Sequence, residues 1–129
     1  MIALCWLTQW LVGSDLLVKP VVSEGATSVD VYFPVENARG AGGAAATLWY
    51  DVDTLAAVRG EGSYRLVDAP VDKIPVFQRG GSIIPRKQRL RRSSRMMAVD
   101  PYTLVITLDE AGKAEGRLYL DDEESHNYR

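Results

Sequence analysis

One cysteine and one histidine, Cys5 and His126, are all the chain offers of the side chains that most often hold zinc or relay protons. A lone cysteine excludes an intrachain disulfide and says little about compartment, since a secreted protein need not carry bridges. Cys5 and His126 stand at opposite ends, so neither a zinc site nor a Ser-His-Asp arrangement has partners at a defined spacing, and His126 is read as a surface residue. Charge of one sign is scarce as well: 15 basic against 17 acidic residues leave a formal net charge of -2. That balance gives no electrostatic case for nucleic acid or an anionic membrane as partner. Long apolar runs are absent too. Residues 1–12 are apolar-rich, but Thr8 and Gln9 interrupt them, and a spanning helix needs roughly 20 apolar residues. With no positively charged start and no small-residue cleavage site, no signal peptide is read there and buried sequence is expected. What remains, in 129 residues with 47% hydrophobic and 25% charged, is enough for one ordinary globular domain.

The chain is organised around residues 75–85, PVFQRGGSIIP. Pro75 and Pro85 have no N–H to give a central ladder, whereas Val76, Phe77, Ile83 and Ile84 suit a pleated, half-buried surface. Gly80 and Gly81 accept positive φ without a Cβ clash, which predicts a sharp turn with Phe77 and Ile83 pointing into one core from either side. Arg79 is then lifted out to solvent or a carboxylate. A structural strand-turn-strand is preferred to a phosphate-cradling loop, because neither a helix start nor a P-loop lysine follows.

Residues 16–22, LLVKPVV, form a nearly continuous apolar run, the pattern of a strand covered on both faces in a parallel sheet, with Pro20 near its end. After a small, polar connector at 23–27, Val29, Val31 and Phe33 alternate with Asp30 and Tyr32 as a half-buried strand does, and Pro34 ends it. Residues 36–46, ENARGAGGAAA, have no apolar period and read as a flexible surface insertion. Leu48, Trp49 and Tyr50 resume a strand. Trp49 is either a core anchor or, if exposed, a platform for a sugar ring, and its apolar neighbours favour the core. A glycine turn within 59–64 leads into Arg65, Leu66 and Val67.

Six basic residues, Arg86, Lys87, Arg89, Arg91, Arg92 and Arg95, crowd into 86–95. Without interleaved aromatics or a recognition-helix pattern, the run reads as an exposed edge strand rather than a nucleic-acid patch. Arg92-Ser93-Ser94 also fits a basophilic kinase. Leu104, Ile106 and Leu108 in 103–108, with Leu118 and Leu120 in 115–120, predict a hairpin closed by the glycine-containing loop 109–113. The acidic cluster Asp121, Asp122, Glu123 and Glu124 offers oxygen ligands to a hard cation, but it lacks EF-hand spacing and an internal glycine and reads as a solvated turn.

Taken in order, GSDLLVKPVVSEGATSVDVYFP (13–34), LWYD (48–51), the corner at 75–85, RLRRSSRMM (89–97) and DPYTLVITLDEAGKAEGRLYLDD (100–122) resemble the C-terminal region of glycoside hydrolase family 31. The likeness runs from Gln9 onward. The last two stretches resemble the branch containing the α-subunit of endoplasmic-reticulum glucosidase II and the neutral α-glucosidases. Glu123 departs from the pattern, standing where the family has the glycine of a DDG-type turn. The resemblance implies a mainly β fold: an antiparallel β-sandwich, the proximal C-terminal domain, over 26–88, and the start of a truncated second, distal β-sandwich over 89–129. It places residues 1–25 at the end of a (β/α)8 catalytic barrel whose other strands are not in this chain. It further implies an α-glucosidase acting on terminal α-linked glucose, as in N-glycan trimming, in the endoplasmic-reticulum lumen. The implied partners are the catalytic barrel and a regulatory β-subunit as in glucosidase II, with carbohydrate reached only through the full enzyme and no cofactor.

Glycoside hydrolysis needs two carboxyl groups flanking the scissile bond. In the family both are aspartates on barrel strands upstream of the matched region, one within a W-x-D-M-N-type motif, and no residue here matches either. Two classes of function follow: an accessory part of an α-glucosidase that braces the barrel, or a free-standing carbohydrate-binding or protein-interaction module on the same sandwich. A strand at 16–22 made for burial in a barrel favours the first. No catalytic, substrate-binding or metal residue is assigned; Trp49, Phe77, Gly80 and Gly81 are assigned structural roles.

Overall fold

The computed structural model describes residues 8–35 and 47–120. Cys5, the insertion at 36–46, the acidic cluster at 121–124 and His126 lie outside the described residues. Among the described residues nine strands carry the fold: β1 Trp10–Val12, β2 Leu16–Val18, β3 Ser28–Phe33, β4 Thr47–Asp51, β5 Ala57–Gly60, β6 Ser63–Asp68, β7 Val76–Arg79, β8 Ser82–Arg86 and β9 Thr103–Thr107. A short 3-10 turn over Ser94–Met97 is the helical piece assigned among the described residues. The strands form a five-stranded sheet in the order β1-β2-β7-β4-β5, a pair β3-β6 and a pair β8-β9, and every strand pairing is antiparallel. The architecture is mainly β and antiparallel, as expected.

Period-two alternation builds the core. Along β3, Val29, Val31 and Phe33 fall on one face, and across β4 the same phase brings Thr47, Trp49 and Asp51 inward. Leu17, Val31, Phe33, Trp49 and Phe77 are buried together between the five-stranded sheet and the β3-β6 pair, with Val29, Val58 and Val67 packed around them. Phe33 meets Phe77 edge to face at 4.8 Å, an arrangement that aromatic quadrupoles favour. Burying each of these side chains contributes about 1.5–3 kcal/mol. Trp49 brings an N–H into this layer and donates it to the Pro34 carbonyl at 3.2 Å.

Three expectations are corrected by the pairing. The strand within 16–22 does not stand apart from the sandwich: β2 bonds antiparallel to β1 on one side and to β7 on the other, in the register Leu17↔Phe77. One sheet therefore runs across the expected boundary at residue 25. The hairpin of 103–108 with 115–120 does not form either. β9 pairs instead with β8, Ser82↔Thr107 through Arg86↔Thr103, and from the distal segment Glu115 joins through a parallel bridge to Ser82. The loop at 109–113 closes as expected, with Asp109 Oδ1 accepting the N–H groups of Ala111 and Lys113, but β8 takes both sides that a local hairpin would have used. The period of β9 is right and its inward face is not: Thr107 is buried while Leu104 and Ile106 are exposed. Finally, the basic run is not an edge strand; residues 87–93 are irregular and lead into the 3-10 turn.

Gly60, at the end of β5, lets two layers touch. A Cβ there would lie 2.5 Å from the Pro34 carbonyl oxygen and 2.9 Å from Trp49 Nε1, so Gly60→Ala must push the β3 exit off the tryptophan. The substitution is expected to lower stability by about 1–3 kcal/mol, read by thermal melting; an unchanged melting temperature would show that the Pro34 segment yields freely.

Candidate functional site

The corner at 75–85 joins sheets rather than folding one strand back on another. β7 lies inside the five-stranded sheet and β8 in the β8-β9 pair, with Gly80 and Gly81 between them. The two glycines serve different ends. Gly81 takes φ +86°, closed to most side chains, whereas Gly80 sits where a Cβ would meet the Leu108 carbonyl oxygen at 2.8 Å and Leu48 Cβ at 3.0 Å. Their N–H groups bond outward to each sheet, Gly80 to the Leu48 carbonyl at 2.6 Å and Gly81 to the Thr107 carbonyl at 2.7 Å. Phe77 faces the main core. Ile83 does not join it; it is half-buried and opposite Ile106.

Polar side chains occupy the inside of the corner. Gln78, Ser82 and Thr107 are all buried. Gln78 Nε2 donates towards Ser82 Oγ at 3.1 Å and the Val105 carbonyl at 3.2 Å. Ser82 Oγ and Thr107 Oγ1 each reach the Arg79 carbonyl at 2.6 Å. Backbone acceptors that lose ladder partners where the chain changes sheet are thus satisfied by side chains. Gln78 Oε1 alone is buried without a partner among the described residues. The hydroxyls of Ser82 and Thr107 are committed to this network and have no base beside them, so neither is arranged as a nucleophile. Sequence patterning passed over all three residues, because a polar residue inside a strand reads as outward-facing.

Two buried carboxylates hold turns. Asp51 ends β4, in the cross-strand row of Phe77 and Leu17. Its Oδ1 accepts the N–H groups of Asp53 and Thr54, both at 2.9 Å, and its Oδ2 meets Lys73 Nζ at 2.9 Å. Leu55, next along, is the one non-glycine residue with positive φ among the described residues, at 59°. Burial pushes the Asp51 carboxyl upward, but the Thr54 N–H, the Lys73 ammonium and the Asp53 N–H together outweigh it and hold the group below its ordinary value. Asp100 is gripped by Arg91 through Nε at 2.9 Å and Nη2 at 2.8 Å, with Arg89 at 3.5 Å. This fork, against some burial, lowers the Asp100 carboxyl. Lys87 binds the Ala98 carbonyl at 3.1 Å and lies 4.7 Å from the Tyr102 ring centroid. Much of the basic run is therefore spent on its own loop.

On the surface, an apolar cleft of about 480 Å³ is lined by Gln9, Trp10, Leu11, Leu17, Tyr32, Pro34 and Tyr64. Gln9 sets its floor: the amide accepts the Tyr32 N–H at 2.9 Å and donates to the Tyr32 carbonyl at 2.7 Å, acting as a one-residue strand beside β3. Tyr32 and Tyr64 rings stack at a tilt, 5.1 Å apart. Among the described residues no acidic one lines the cleft, and no three His, Cys, Asp or Glu side chains gather as a metal site would require. The cleft can cover apolar or aromatic surface; it carries no acid-base pair.

The carboxylates fix a pH response. Both folded-state values are depressed, so the stability from Asp51 and Asp100 is present above their unfolded value, about 3.9, and is lost as pH falls through the folded values. Lys73 is raised, so its share holds below the ordinary lysine value and is lost at strongly alkaline pH. Melting temperature should be flat near neutrality and drop below about pH 4. Asp100→Asn should flatten that acid limb. A variant whose melting falls with acid as steeply as the parent's would remove Asp100 from the account.

The comparisons with known proteins agree with this anatomy. The family model described as the glycosyl hydrolase family 31 C-terminal domain matches residues 4–84. Neutral alpha-glucosidase AB of Dictyostelium discoideum is 43% identical over 121 residues, covering 94% of this chain and 12% of the relative. The crystal structure of glucosidase II alpha subunit with alpha3-Glc2 bound superposes with a TM-score of 0.77 at 38% identity, covering 89% of this chain and 12% of that one. The catalytic subunit in a heterodimeric complex of ER glucosidase II with the binding domain of its regulatory subunit gives 0.77 at 39%, covering 89% and 11%. The chain thus spans about one-eighth of the length of these relatives. With the family model over more than half its length and such relatives along nearly all of it, the chain belongs to glycosyl hydrolase family 31, whose C-terminal domain it carries.

Proposed function

We propose that this chain is an accessory β-sandwich part of an α-glucosidase that cleaves terminal α-linked glucose, and that it braces the catalytic barrel without supplying the reacting carboxyl groups. In this reading its partners are that barrel and, as in the glucosidase II complex, a regulatory subunit, and its setting is the endoplasmic-reticulum lumen of the neutral α-glucosidases. Residues 89–129 open a second, distal sandwich. The observation that carries the proposal is the apolar surface at one end of the five-stranded sheet. Trp10, Leu11 and Val12, the whole of β1, are each about half exposed, beside the cleft lined by Tyr32 and Tyr64. Exposed apolar patches of this kind mark surfaces that another body covers. The described buried aspartates support the same reading, since Asp51 and Asp100 are held by cations and backbone N–H groups rather than poised across a groove.

Two measurements test it. The purified chain is expected to leave an aryl α-glucoside intact; turnover that vanishes when one of its acidic residues is changed would refute the absence of reacting groups. Co-expression with the Dictyostelium relative cut before its matching segment should yield a complex, and Leu11→Lys should abolish it while leaving the chain folded. Failure to associate, together with binding of glucose oligomers by the isolated chain, would favour the free-standing carbohydrate-binding module instead.

A further inference from the structure

The basic run holds two serines that neither the clamp on Asp100 nor the proposed bracing role uses. In the order Arg91, Arg92, Ser93, Ser94, Ser94 has arginine three and two residues before it, the spacing that arginine-directed serine kinases read. Both serines are exposed. Ser93 is extended, at φ -153° and ψ 159°, and its hydroxyl makes no capping bond. Ser94 opens a 3-10 turn that buries none of its residues, so this segment opens locally at little cost. A kinase takes its substrate extended; Ser93, next to the acceptor, already is, and the turn that follows buries none of its residues.

We propose that Ser94 is a phosphorylation site for a kinase that requires arginine ahead of the acceptor. The γ-phosphoryl group passes from ATP to Ser94 Oγ, the hydroxyl proton leaves to the kinase's base, and ADP departs. The product sets a phosphate among Arg91, Arg92 and Arg95. Arg91 is already bound through both of its fork nitrogens to Asp100 at 2.8–2.9 Å. A phosphoserine, with more charge and three acceptor oxygens, competes for that same fork. Modification therefore draws Arg91 away from Asp100 and loosens the loop whose Asp100 N–H bonds the Met97 carbonyl. The inference is independent of the bracing role and of the luminal setting proposed with it.

The test incubates the full chain with an arginine-directed serine kinase and MgATP, beside a peptide of residues 86–98, and maps phosphate by mass spectrometry. The folded chain is expected to take one phosphate, on Ser94, at a rate within about tenfold of the peptide's, as a segment with little protection should. Ser94→Ala should abolish incorporation, and Ser93→Ala should leave it. Faster exchange of the Asp100 amide in the modified chain would show the transfer of Arg91. A peptide that is modified while the folded chain is not would overturn the proposal, and so would phosphate retained in Ser94→Ala.

Discussion

A strand that leaves one sheet for another must give up its ladder, and the hydrogen-bonding groups it exposes have to be met elsewhere. Between Gln78 and Ser82 this happens where Gln78, Gly80 and Ser82 are buried, so protein groups take up much of the loss. Each remedy is specific. Gly80 brings the backbone close enough to bond Leu48, Gly81 takes a positive φ and gives its own N–H to Thr107, and three buried polar side chains collect on the carbonyls of Arg79, Ser82 and Val105. Tyr50 reinforces the seam by donating to the Leu108 carbonyl at 2.9 Å. The relative setting of the five-stranded sheet and the β8-β9 pair follows from this seam, since both sheets bond to the same short corner.

The sheet edges are treated unequally. β5 carries Arg59, paired with Glu110 at 2.6 Å, and β3 is closed at Tyr32 by the Gln9 amide. Both devices oppose pairing with another chain. β1 has neither a charge nor a proline among Trp10, Leu11 and Val12, and among the described residues it ends the strand order. This edge is apolar where the other two are defended, and it lies next to the cleft that Gln9 lines. The same glutamine both defends one edge and lines the opening.

What the sequence made legible follows from physics that is local. Val29, Val31 and Phe33 alternate, so β3 and its inward face could be read directly; the apolar flanks of Trp49 gave its strand. Gly81 was legible because a glycine pair between strand-like runs implies a positive φ. Less could be read where the deciding partner is distant in sequence. Nothing in 103–120 says that β9 prefers β8 to its own neighbour, because the choice depends on an open edge some twenty residues earlier. Arg89 and Arg91 alternate as an edge strand would, yet Asp100 holds them in a loop. The polar corner was hidden for a further reason: Gln78 and Ser82 are the residues that patterning assigns to solvent, and a second sheet covers them.

Polar and apolar burial divide the molecule's work. A hydrogen bond made on folding contributes a net of about 0.5–1.5 kcal/mol, while covering a large apolar side chain contributes about 1.5–3 kcal/mol. The polar corner therefore orients more than it stabilises, and stability rests on Leu17, Val31, Phe33, Trp49 and Phe77. Trp10, Leu11 and Val12 at one edge, with Leu104, Ile106 and Leu108 along and just beyond β9, are exposed apolar side chains equal in kind to that core and greater in number. Each is already about half buried, so covering all six would release roughly half of what burying them from full exposure would, still a sizeable fraction of the core's gain. In the proposed bracing role that gain would come from the surface that covers them, added to a stability already set by the five core side chains.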